Sequence, residues 1–176
     1  IRNDVNSFLD LATHDLSILK FLLRKKIKLK DYTKHDVLRY KSGDIVYANF
    51  IVNKIPVDIN VSWLNPEKIR KIIIISNKNM ILFDEMSKDK PIQIFNNFAN
   101  YPKLSKFTKS YFSEKAFIYK GKSKQIKLNV KNSLDNEILD FLNDRKNISD
   151  INFAEDIIRI SNKVIIDSEK YRHIKA

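Results

Sequence analysis

The sequence predicts an α+β fold: a large, mostly antiparallel sheet with helices packed on one face. Apolar residues recur at helical spacing at the start of the chain and again near its end. Between these stretches lie several short β-rich segments whose spacing suits antiparallel meanders. A hydrophobic content of 43% in 176 residues suffices for one packed core, so a single domain is expected over residues 1–176.

The first helix is predicted from Val5 to Leu23, with Asn3 or Asp4 as its cap. After the basic run "RKKIKLKDY" the predicted strands are Val37 to Tyr40, Asp44 to Asn53, Pro56 to Leu64, Lys68 to Ser76, Met80 to Asp84 and Ile92 to Phe95. Two of them alternate legibly. Val46, Ala48, Phe50 and Val52 share one face, as do Val57, Ile59, Val61 and Trp63. "SNKNM" reads as a hairpin turn in which Asn, tolerant of a positive φ, replaces glycine. The polar segment from Asn97 to Lys124 holds seven aromatic residues without a clear period and is expected to be a long excursion with a short strand near Phe117. A strand from Gln125 to Val130 and helices from Leu134 to Asn143 and Phe153 to Lys170 complete the chain.

Composition narrows the function. No apolar run approaches the roughly 20 residues of a membrane span, and Ile1 and Arg2 do not open a signal peptide, so a soluble, cytoplasmic protein is expected. The absence of cysteine excludes disulfides, thiolate metal sites and a cysteine nucleophile. Lys and Arg number 33 against 21 Asp and Glu, but the excess is spread along the chain, whereas a nucleic-acid footprint clusters on one face. Only Gly43 and Gly121 are glycines. A dinucleotide fingerprint or a phosphate loop needs several close together, because the backbone must approach phosphate where a Cβ would intrude.

The first helix holds the candidate site residues. At about 100° per residue its apolar arc takes Val5, Phe8, Leu9, Ala12, Leu16, Leu19 and Leu23, continued by Leu11, Ile18 and Leu22. The opposite face collects Asn3, Asn6, Asp10, Thr13, His14 and Ser17. Short polar groups suit the wall of a pocket, whereas a solvent-facing surface would favour Lys and Glu. Asp10 and His14 stand four apart, and a carboxylate beside an imidazole orients it for proton exchange near neutral pH. The competing reading is a solvent-exposed pair worth a few tenths of a kcal/mol. Asp15 falls within the apolar arc and requires a partner.

"DLATHDLSIL" resembles the D-x-x-x-H-D helix that opens the C-terminal domain of the glucose-fructose oxidoreductase, inositol dehydrogenase and rhizopine-catabolism family, known as Gfo/Idh/MocA. The stretch from Gly43 to Phe95 is similar to that family's strands, with a "sW" strand, a K-x-R pair and an "fD" ending, and Leu134 to Lys170 is similar to its closing helices. The resemblance implies a domain that binds a sugar or nucleotide sugar and forms a homo-oligomer through its sheet. It implies His14 and Asp10 as catalytic residues, and Asn6, Arg2, Thr13 and Ser17 near the substrate. It also implies a nicotinamide cofactor, NAD or NADP, held mainly by an N-terminal dinucleotide-binding domain that these residues do not contain. The chain is therefore expected to be a fragment of a longer oxidoreductase, inactive alone, with no metal site. The alternatives are a non-catalytic interaction domain of the same fold, or a basic nucleic-acid module built on the Lys/aromatic segment.

Overall fold

The computed structural model describes residues 5–38, 43–100, 117–127, 132–143 and 150–166. The chain divides into two compact units, Ile1–Pro66 with Ile138–Ala176, and Glu67–Glu137. The α+β class and the antiparallel pairing are as expected, with the strands divided between a three-stranded and a four-stranded sheet.

In the first unit the chain opens with a five-residue π-helical turn, Phe8–Ala12, which runs into α1, Thr13–Leu23. The helix is capped by Asn6, whose Oδ1 accepts the Leu9 N–H at 2.8 Å, while Asn3 and Asp4 lie outside the described residues. Arg24 closes it in the left-handed conformation, its N–H donating to Lys20 O.

The strands β1 (Ile27–His35), β2 (Ile45–Val52) and β3 (Ile55–Ser62) follow in sheet order. β1 falls on the basic run where no strand was expected. A bulge between Leu29 and Asp31 breaks the period of two, so that Ile27 and Tyr32 both face the core while Lys28 and Lys30 face water. Val37 and Leu38, expected in a strand, instead lie in a bend, and Tyr40 is outside the described residues. A two-residue turn joins β2 to β3, and its Asn53 and Lys54 both have positive φ (47° and 71°).

The alternation read from the sequence holds in this sheet. Val46, Ala48, Phe50 and Val52 are buried with Ile59 and Val61, and cross-strand pairing sets Tyr32 beside Ala48 beside Ile59. Against this face pack Phe8, Ala12 and Leu16, all with no exposed surface, and Phe8 stacks on Phe50 with ring centroids 6.4 Å apart. Ile18 and Leu22, on the flank of the predicted arc, are exposed.

The helix Ile151–Ile166 closes this core through Ile157 and Val164, with Phe153 and Ile160 partly buried beside them; the expected extension to Lys170 lies outside the described residues. Asp150 Oδ1 caps it at Phe153 N. Lys20 ties α1 to this helix, its Nζ 2.5 Å from Asp156 Oδ2 and 4.7 Å from the centre of the Phe153 ring. Hydrogen bonds from Lys20, and then from Arg159, hold the Asp156 carboxyl below its ordinary range. The helix Ser133–Leu142, close to its predicted bounds, leaves Leu134, Ile138, Phe141 and Leu142 exposed.

The second unit is an antiparallel meander of β4 (Lys71–Ile75), β5 (Met80–Asp84), β6 (Ile92–Asn100) and β7 (Phe117–Ile126). Its first hairpin does not use the expected positive φ: no described residue from Ser76 to Asn79 has one. Instead Ser76 N donates to Asn79 O, and Ser76 Oγ accepts the Asn79 and Lys78 N–H groups. The predicted excursion from Asn97 to Lys124 is, where described, strand: β6 runs on to Asn100 and β7 begins at Phe117, with Asn100 paired to Phe117. Residues 101–116 lie outside the described residues. Gly121 sits across from the β6 bulge, where a Cβ would stand 2.0 Å from Asn96 O, so only glycine fits this crossing.

Candidate active site

The start of the first helix is held by the chain just before β2. Gly43 O accepts both the backbone N–H of Ser7, at 3.2 Å, and the Ser7 hydroxyl, and Ser7 is fully buried. Gly43 has φ +57°, and a Cβ there would lie 3.0 Å from Lys34 Cδ and 3.2 Å from Asn6 Cβ. Its own N–H donates to Asp36 Oδ1 at 2.7 Å, and Lys34 lies 3.6 Å from the same oxygen. Next in the chain, buried Asp44 accepts the N–H groups of Val37 and Leu38 on Oδ2, at 2.8 and 2.7 Å. The bend at Val37 and Leu38 is thus folded around a carboxylate.

Asp44 also reaches β3. Its carbonyl accepts the backbone N–H of Trp63 at 3.0 Å, fixing the residue that follows the end of that strand. The Trp63 indole Nε1 in turn donates to Asp10 Oδ2, again at 3.0 Å. Asp10 lies in the π turn and is half-buried, as is Trp63. Such turns occur frequently at functional sites. One connected set of hydrogen bonds therefore runs from Val37 and Leu38 through Asp44 and Trp63 to the Asp10 carboxylate.

Of the residues expected at the site, Asn6 and Asp10 belong to this cluster, although the Asn6 side-chain oxygen is engaged as the helix cap. His14 lies on the next turn and is exposed. Thr13 and Ser17 are half-buried, and the Ser17 hydroxyl donates to Thr13 O at 2.7 Å, which commits its proton to the helix. Arg2 lies outside the described residues. Asp15 is half-buried and partnered. Sequence reasoning missed the roles of Ser7, Gly43, Asp44 and Trp63. Gly43 was discoverable, since in a chain with two glycines each marks a backbone position worth locating.

Neither glycine opens a phosphate-binding turn. Gly43 packs under Asn6 and Gly121 crosses a bulge, so neither supplies the glycine turn that cradles a dinucleotide's phosphates. Among the described residues no group of three or more His, Asp or Glu side chains could hold a metal ion, and no helix is long and apolar enough to cross a membrane.

These features define an α+β chain whose first helix is pinned to a three-stranded sheet and carries an aspartate tied to a tryptophan, with a histidine one turn on. The same fold occurs in UDP-N-acetylglucosamine 3-dehydrogenase GnnA from Acidithiobacillus ferrooxidans, with a TM-score of 0.68 and 17% sequence identity over 95% of this chain. The chain spans 48%, about half, of that dehydrogenase. No protein-family model matches the sequence, and no curated protein matches it.

Proposed function

We propose that the chain is the substrate-binding and oligomerisation domain of a nicotinamide-dependent oxidoreductase acting on a nucleotide-linked sugar. What supports the reading is the fold shared with half of a UDP-N-acetylglucosamine 3-dehydrogenase, together with an Asp/His pair on a helix anchored for precision. In this reading a reducing, cytoplasmic compartment is the setting. NAD or NADP is held mainly by another part of the protein and supplies the hydride chemistry. His14 exchanges the proton of the reacting sugar hydroxyl, and its exposure leaves the imidazole accessible to substrate. Asp10, fixed by Trp63, supports the imidazole or binds a neighbouring hydroxyl. Thr13 and Asn6 line the approach.

The outer face of the three-stranded sheet is the proposed surface for a second copy. Tyr47 pairs with Asn60 and Asn49 with Asp58 across the strands, all four exposed, with Ile51 and Ser62 half-buried on the same face. Its mixed polar and apolar character suits a wet interface.

The deciding experiment is His14→Ala in the protein that joins this chain to a dinucleotide-binding domain. Turnover of UDP-N-acetylglucosamine should fall by about 10² to 10⁴ with the circular dichroism spectrum unchanged. Wild-type turnover would reject the assignment.

A further inference from the structure

We infer that Trp63 is a positioning residue of this site, holding the Asp10 carboxylate in the orientation that receives a sugar hydroxyl; the inference rests on the sugar-oxidoreductase reading above. Asp10 and Trp63 are 53 residues apart in sequence, and their hydrogen bond joins the first helix to the end of β3. An indole N–H donates one hydrogen bond and accepts none, so it fixes one carboxylate oxygen without competing for the proton chemistry. With Oδ2 held in that direction, rotation of the carboxylate is restricted and the direction of Oδ1 is set.

The tryptophan is itself immobilised from behind. Its backbone N–H is bound by Asp44 O, and Asp44 is fully buried with its carboxylate accepting the Val37 and Leu38 N–H groups. Asp10 is steadied from its own side, because its neighbours Phe8 and Ala12 have no exposed surface and Phe8 stacks on Phe50. Both ends of the Asp10–Trp63 bond thus rest on the core of the unit, which is the arrangement that keeps a reacting group within small tolerances.

Trp63 is also the chain's sole tryptophan, so a single indole N–H resonance reports on the site. The test titrates the chain with UDP-N-acetylglucosamine and follows that resonance together with the amides of residues 6–17. The inference expects a saturable indole shift. It also expects Trp63→Phe, which keeps an aromatic ring and loses the N–H, to bind about tenfold more weakly, since hydrogen bonds to charged groups have that order of effect. Saturable amide shifts with a stationary indole, or unchanged binding by Trp63→Phe, would overturn the role of Trp63 and leave the sugar reading intact. No saturable shift anywhere at millimolar concentration would sink the sugar reading and the inference with it. Should Trp63→Phe fail to fold, the wild-type indole titration still decides the matter.

Discussion

Gly43→Ala tests whether the site is built on backbone geometry that side chains cannot adopt. Alanine at φ +57° pays the left-handed penalty, roughly 1–2 kcal/mol, offset by about 0.4–1 kcal/mol from the stiffer unfolded chain. Two contacts add to it. The Lys34 Cδ at 3.0 Å belongs to a flexible chain and can withdraw, but Asn6 Cβ at 3.2 Å cannot easily do so. Asn6 caps the helix through Leu9 N, and the adjacent Ser7 is bonded twice to Gly43 O. The net loss should therefore be about 1–3 kcal/mol, or a fall in Tm of about 3–10 °C for a chain of this size. Thermal and urea unfolding by circular dichroism measure it, and the emission of Trp63 reports any displacement reaching Asp10. Gly43→Asn provides the control: it carries the same Cβ but tolerates positive φ better, so it should lose less. A Gly43→Ala variant as stable as wild type, within about 0.3 kcal/mol, would refute both the strain and the contact.

Other outcomes follow from particular contacts. Because Lys20 and Arg159 lower the Asp156 pKa, the stabilising contribution of that carboxylate is present above the ordinary carboxylate range and is lost as pH falls through the lowered value. The Tm gap between wild type and Asp156→Asn should accordingly be open at neutral pH and close under acid; a gap constant with pH would contradict this. Lys54→Gly should raise stability by about 0.5–1 kcal/mol in urea unfolding, since Lys54 holds a positive φ of 71° in a turn that favours glycine. Phe50→Ala should cost about 3–5 kcal/mol, as the ring is buried and stacked on Phe8. Calorimetric titration of the chain with NAD or NADP should give no saturable heat, and micromolar binding would overturn the proposed division of labour.

Where burial imposes a period, the fold was legible. β2 and β3 alternate because one face meets Phe8, Ala12 and Leu16, and the closing helix shows its core positions at Phe153, Ile157, Ile160 and Val164. β1 was hidden for a physical reason: its bulge shifts the phase midway, and its lysines make an edge strand look like a charged linker. The hairpin at Ser76 misled because a serine hydroxyl closes the loop in place of an unusual backbone dihedral. In the candidate site, spacing within one helix could only pick out Asp10 and His14 as candidates. It could not identify Trp63, Asp44 or Gly43, because those contacts exist only once sheet register brings distant residues to the helix start.

The π turn changes what the spacing between Asp10 and His14 means. Four residues along a regular α-helix bring two side chains onto one face, but Phe8–Ala12 is wound more loosely, with hydrogen bonds reaching five residues ahead. Asp10, in the π turn, is half-buried and bonded to Trp63 just past the end of β3, while His14, already within α1, is exposed. A surface pair formed by chance would place both groups in water and tie neither to a distant element. Here the carboxylate is bound to an indole 53 residues away and the imidazole alone faces outward. That division favours a rigid acceptor beside an accessible proton carrier, and the wild-type indole resonance together with His14→Ala turnover tests each half of it separately.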